Sequence, residues 1–434
     1  MSRKVVLAAA LLLAGCTLYN EVSFSPLTIL PTNIDRGSDL QSMLRKADFL
    51  RAIEMAPLID ARPKSTAADY AALGSAFLAA GRFDEARTRL RAGLDLKPFR
   101  TTYSQIAWDL AQVEYLSNNF EQSLEWAKIA ADHGLNVRKW HMDYLAALSN
   151  VAVYSFPGET SARVPFRFGK PEVPRITTRL NGMKDVDAII DSGAVLSIIS
   201  KGLATQLSVK SLGTFEGTFY GLLGEPIPVR FALLDRLEIG SIVIENVPVA
   251  IMPDEKMKFL ISKRERIEFR MEFLLGTNLL KEFRLELDFK SYRATFARLT
   301  AADRRPDANQ NLFFHGFRPH VRGAVNRHAW YLFVLDTGSE ITFLNQSRLS
   351  ALPMQIFASG THSATLQGLG GAMKRGAKLE DVEIGIGAWG GRFRTLPMYT
   401  SEEREIAVGI VGQNFLKNFH VVIDFGRMRV DLER

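Results

Sequence analysis

What most constrains the fold of this chain is a long internal duplication. From Arg163 onward, short β-branched runs alternate with Gly, Pro and Asn-Gly, the signature of an all-β region, and the pattern occurs twice. The first copy reads Arg175-Ile-Thr-Thr-Arg-Leu180, an Asn181-Gly182 turn, then Val186-Asp-Ala-Ile-Ile190 into Asp191-Ser192-Gly193-Ala194. The second runs from Val321 to Val325, turns near Asn326, and continues Tyr331-Leu-Phe-Val-Leu335 into Asp336-Thr337-Gly338-Ser339. Each copy then has a Gly-rich turn, Tyr220-Gly221-Leu222-Leu223-Gly224 and Gly368-Leu369-Gly370-Gly371, and a strand ending in Ile-Gly, Leu237 to Gly240 and Val382 to Gly385.

Both copies also close alike. One ends Leu274-Leu275-Gly276-Thr277-Asn278 and Leu287-Asp288-Phe289; the other ends Ile410-Val411-Gly412-Gln413-Asn414 and Ile423-Asp424-Phe425. From the glycine to the late aspartate is 12 residues in each copy (276 to 288, 412 to 424). From the early aspartate to that glycine is 85 residues (191 to 276) and 76 residues (336 to 412), so the length difference lies in loops.

Two Asp-Ser/Thr-Gly triplets, each behind an apolar strand and each followed by two hydrophobic residues and a glycine, resemble the retropepsin-like aspartic peptidases. The resemblance spans Arg163 to Arg434. It implies two lobes, 163–299 and 312–434, joined by a linker at 300–311 rich in Asp, Arg and Asn. It also implies that Asp191 and Asp336 form one catalytic dyad within a single chain, with a monomeric active site. By the same resemblance Ser192 and Thr337 lock the two loops together, while Gly193 and Gly338 allow close backbone approach. The Gly-rich turns become flaps over an extended peptide or protein substrate, with Gly221, Gly368 and Gly370 in their tips. Tyr220 either touches substrate or packs the flap.

The chemistry suits these residue types. Two carboxylates about 3 Å apart do not both ionise readily and share a proton. The ionised one takes a proton from water, which attacks the scissile carbonyl, while the other donates to the carbonyl oxygen. The expectation is an aspartic endopeptidase that needs no cofactor and no metal; His-Glu-x-x-His, paired cysteines and a Gly-x-Ser-x-Gly elbow are missing from the chain. Glu340, just after the second triplet, departs from the family's usual small or uncharged residue, and either perturbs the dyad or faces solvent. The alternative function is a catalytically inactive peptide-binding or scaffold protein.

The N-terminal part is of another kind. Arg3 and Lys4 precede a nine-residue apolar run, Val5 to Leu13, too short to span a bilayer. Leu13-Ala14-Gly15-Cys16 resembles the lipobox of bacterial lipoproteins, and Cys16 is the only cysteine among 434 residues. The expectation is a signal peptide at 1–16, lipidation at Cys16, a tether at 17–38, and a location in the cell envelope, on the outer membrane facing the periplasm. A helical, Ala-rich domain follows at 39–155. Tyr70-x-x-Leu73-Gly74-x-x-Phe77, Ala86-x-x-x-Leu90 and Pro98 fit a tetratricopeptide repeat. A weaker echo at Asn119-Phe120-Glu121-Gln122-Ser123 has Glu114 in place of an aromatic. These repeats serve either as a surface for an envelope partner or as a spacer. The net charge of +7 is mild for this length. Without a Lys/Arg block interleaved with aromatics it gives no footing to nucleic-acid binding.

Overall fold

The structure, a computed structural model, describes residues 8–9, 12–13, 22–29, 39–221, 224–262, 267–351, 358–368, 373–399 and 406–434. They fall into two compact units. One holds the described residues of Asp35–Val153 together with Phe313–Phe317; the other holds those of Leu7–Ile34, Tyr154–Leu312 and Arg318–Arg434.

The first unit is helical. Three short helices, Leu40–Arg45, Phe49–Glu54 and Ala56–Asp60, precede two long hairpins, Ala67–Ala79 with Phe83–Asp95 and Arg100–Leu116 with Phe120–Asp132, and then Lys139–Leu148. Thr66 and Asp69 close a reciprocal capping box that sets where the first hairpin begins. Close approach within that hairpin depends on Gly74, where a Cβ would lie 2.4 Å from the Leu90 side chain. Glu114 is buried, and both its oxygens receive the Arg87 guanidinium, at 2.8 and 3.1 Å. The residue that breaks the repeat pattern is thus the acceptor of an ion pair between the two hairpins.

Phe313–Phe317, which the sequence assigned to the second lobe, packs with the helices. Phe317 lies 4.7 Å from the Tyr115 ring and 6.1 Å from His141, and Phe313 lies 5.6 Å from Phe49. His141 is fully enclosed there, and burial pushes its imidazole down to about 4.

The second unit is the duplicated β region. In each copy a hairpin carries the first aspartate: Arg175–Leu180 with Lys184–Ile190, and Arg318–Val325 with His328–Leu335. Both turns have two successive residues of positive φ, Asn181 and Gly182 in a three-residue connection and Asn326 and Arg327 in a two-residue one, the backbone that tight hairpin turns adopt. The short strands Phe273–Leu275 and Gly409–Val411 run parallel to the aspartate-bearing strands, Leu275 beside Ile190 and Val411 beside Leu335. The two closing segments meet in one sheet, where Phe283–Asp288 pairs antiparallel with His420–Asp424 and places Leu285 opposite Ile423. The two lobes therefore share a five-strand layer, Ser161–Arg167, Arg293–Arg298, Phe283–Asp288, His420–Asp424 and Arg429–Glu433.

One expectation needs correcting here. Within 17–38, read as a tether, residues Val22–Pro26 form a strand paired with Trp389–Tyr399, Phe24 opposite Gly391. The reason is aromatic packing: Phe24 meets Phe415 and Phe419 edge-on at 5.3 and 5.0 Å. Cys16 lies outside the described residues. No described helix is long and apolar enough to cross a membrane.

Candidate active site

The two triplets sit where their strands end, and the strands packed behind them hold the loops. The Asp191 N–H donates to the Leu275 carbonyl and the Asp336 N–H to the Val411 carbonyl, at 3.0 and 3.1 Å. A Cβ on Gly276 would lie 2.3 Å from the Leu196 backbone, and one on Gly412 would lie 2.4 Å from the Ile341 carbonyl oxygen. The hydrophobic-hydrophobic-Gly signature thus has a steric cause: only glycine lets each strand pass beneath its loop.

Across the lobes the two loops are bolted symmetrically. The Thr337 hydroxyl donates to the Ile190 carbonyl, and the Ser192 hydroxyl to the Leu335 carbonyl, both at 2.7 Å. Each hydroxyl also accepts the other loop's N–H, Ser192 N to Thr337 Oγ1 at 3.0 Å and Thr337 N to Ser192 Oγ at 3.1 Å. All four groups are buried and all four are satisfied. Gly193 and Gly338 are pressed against the opposite carboxyls. A Cβ on Gly193 would lie 2.4 Å from Asp336, and one on Gly338 would lie 2.4 Å from Asp191.

The structure therefore brings Asp191 and Asp336 side by side, both fully buried. The Asp191 Oδ1 accepts the N–H groups of Gly193 and Ala194, at 2.9 and 3.0 Å. Asp336 Oδ1 accepts only that of Gly338, at 2.9 Å. Burial drives both carboxyls upward, Asp191 to about 7 and Asp336 well above its ordinary range. For Asp336 the charge of Asp191 adds to burial. Two amide donors favour the ionised form more than one does, so Asp191 is the first of the pair to ionise and Asp336 keeps its proton longer.

Other candidates fall in different places. Tyr220 and Gly221 end the strand Lys210–Gly221, which forms a hairpin with Pro226–Ile239; Tyr220 is half-buried opposite Pro226. Gly368 ends Ala358–Gly368, the first arm of a second hairpin with Met373–Ile386. Gly370 lies outside the described residues. Glu340 does not reach solvent alone: its Oε1 accepts the N–H of Glu172, from the first lobe, at 2.7 Å. Among the described residues no cluster of three His, Cys, Asp or Glu could hold a metal.

Sequence reasoning missed four supporting residues. Asn278 Oδ1 accepts the Ser197 N–H and Asn414 Oδ1 the Thr342 N–H, at 2.7 and 2.8 Å. Thr277 Oγ1 donates to the Ser192 carbonyl and Gln413 Nε2 to the Thr337 carbonyl. Their signal was already present in the repeated Gly-Thr-Asn and Gly-Gln-Asn.

A family model described as "Aspartyl protease" matches residues 176–279. Among solved structures the chain is similar to a retropepsin-like aspartic protease from Rickettsia conorii. The identity is 17%, covering 34% of this chain and 99% of that one, with a TM-score of 0.22. It is also similar to an aspartic proteinase from Irpex lacteus, at 11% identity over 63% of this chain and 97% of that one, with a TM-score of 0.37. No curated protein matches. Over residues 176–279, the part that holds the first triplet and its closing segment, the chain is thus similar to the aspartyl protease family.

Proposed function

We propose that this protein is an active aspartic endopeptidase whose dyad is Asp191 and Asp336. The observation that carries the reading is the pair of buried carboxyls held by mirror-image loops, each with one oxygen fixed by backbone N–H groups. The second oxygens, Asp191 Oδ2 and Asp336 Oδ2, are buried and take no backbone N–H, which leaves them for the shared proton and the attacking water. Asp191 then acts as base toward water and Asp336 as acid toward the scissile carbonyl oxygen, without a covalent intermediate.

Substrate is an extended peptide held by strand addition. In support, short segments of the chain itself already pair with both hairpins: Ala8 and Ala9 lie alongside Tyr220 and Gly221, and Leu12 and Leu13 alongside Gly368 and Gln367. The outer edges of these hairpin arms are thus of a kind that takes on an added strand. We further propose that Cys16 carries a lipid that anchors the protein in the cell envelope, and that the helical hairpins are tetratricopeptide-like and recruit a protein partner.

The test is to incubate the chain lacking residues 1–16 with a proteome-derived peptide library, wild type beside Asp191→Ala and Asp336→Ala. Cleavage is expected in wild type alone, with the double variant hardly worse than either single one, because groups acting as a unit are not additive. Substantial cleavage by one single variant would refute the two-lobe dyad. Loss of palmitate labelling in Cys16→Ser tests the anchor.

A further inference from the structure

The two aspartates share their loops, their glycines and the strands behind them, yet the residues where the neighbouring strand begins differ. In the first lobe Arg175 pairs with Ile189, and the register continues so that the Ile190 N–H donates to the Pro174 carbonyl at 3.0 Å. One residue further out is Val173, beyond the strand and fully buried, its N–H on the Pro171 carbonyl at 2.9 Å. In the second lobe His320 pairs with Val334. The same continuation passes Pro319 and reaches Arg318, at the start of the strand paired with the one leading to Asp336. Proline thus occupies the same register position in both copies, followed by Arg175 in one and His320 in the other. At the position before it, one lobe has valine and the other an arginine that is only 6% exposed.

We propose that Arg318 is a positioning residue for the dyad: a buried cation on one side only, it sets the pH at which Asp336 gives up the shared proton. A guanidinium stays charged at every working pH. Placed inside the protein, where screening is weak, it favours the ionised form of a neighbouring carboxyl. Consistent with this, the charge of Arg318 pulls Asp336 downward, against burial and Asp191.

Of the side-chain charges acting on Asp336, Asp191 weighs more and Arg318 less; Glu340, four residues on, has its Oε1 on the Glu172 N–H at 2.7 Å. The strands behind the loops, Phe273–Leu275 and Gly409–Val411, carry no ionisable side chain. On Arg318's own strand, His320 is buried with its Nδ1 3.1 Å from the Arg318 carbonyl oxygen. On the neighbouring strand, Tyr331 is pushed up to about 12 and stays neutral. One strand further, Glu383 is taken by Arg327 at 2.8 Å.

The inference rests on the dyad reading, and its test separates the two. The full chain, labelled with 13C at aspartate Cγ, is titrated by NMR as wild type, Arg318→Met, Arg318→Gln, Arg318→Lys and Val173→Leu, beside the pH profile of peptide cleavage. In Arg318→Met and Arg318→Gln the titration of Asp336 is expected to move to higher pH, and the alkaline limb of the activity profile with it. Arg318→Lys should return it most of the way and Val173→Leu should leave it in place. An unmoved titration in folded Arg318→Gln, or a Lys variant that behaves like Met, overturns the proposal whether or not peptides are cleaved. A displaced titration in a protein that cleaves nothing upholds it and overturns the peptidase reading instead.

Discussion

Asp191 and Asp336 are equivalent in the chain's internal repeat but not in their surroundings. One accepts two backbone N–H groups and the other accepts one. Both are held above their ordinary range, which fixes the sign of their effect on stability. Above about pH 4 the unfolded chain releases protons that the folded dyad keeps, so the dyad's contribution to stability falls as pH rises, through about 7 where Asp191 ionises and on until Asp336 ionises as well. Asp336→Asn removes the like-charge repulsion. It should unfold at higher urea than wild type near about pH 8, with the gap closing near about pH 4. A gap that widened toward acid would contradict the shared-proton assignment. His141 has the opposite sign: held down to about 4, it stays neutral as the unfolded chain charges, and so weakens the helical unit in acid.

Elements in this protein are legible to different degrees. The aspartate-bearing hairpins were readable because apolar runs, an Asn-Gly turn and a triplet follow one another within a few positions. The helical hairpins were readable from Gly74, Ala86 and Leu90, small or apolar at the helical spacing. Glu114 was not: it looks like a defect in the repeat until Arg87 is placed 27 positions away and bonded to both its oxygens. Glu114→Ala takes from the half-buried Arg87 guanidinium its buried partner and leaves it Asp84 and Ser117, and about 2 kcal/mol of stability should be lost, between the exposed and fully buried limits for ion pairs. Urea unfolding followed by helical circular dichroism measures it, and a double-variant cycle with Arg87→Ala should recover most of that energy as coupling. The strand Val22–Pro26 was also missed, since five residues with two serines carry little strand signal. Phe24→Ala should cost about 1–2 kcal/mol through lost apolar contact with Phe415 and Phe419. An unchanged unfolding midpoint would mean that the strand adds nothing to its sheet.

At the scale of the whole molecule, both halves of the site come from one chain. The loops are joined by four buried hydrogen bonds and the closing strands by a common sheet. Cleavage per molecule is therefore expected to be independent of protein concentration. A loss that grows on dilution would show instead that lobes pair between chains.

What the sequence determined by itself was the duplication: two Asp-Ser/Thr-Gly triplets, the glycine of each closing segment, and the change from helical to β patterning near Arg163. These depend on propensity, turn chemistry and steric limits that neighbouring residues impose on one another. Only the tertiary structure decided that Thr277 and Gln413 brace the carbonyls of Ser192 and Thr337, that Arg318 is buried at the start of the strand paired with the one leading to Asp336, that residues 22–26 join a sheet almost at the other end of the chain, and that Phe313–Phe317 packs among helices. Each of those is a pairing between distant segments, chosen by shape, charge and open strand edges that exist only once both partners have folded.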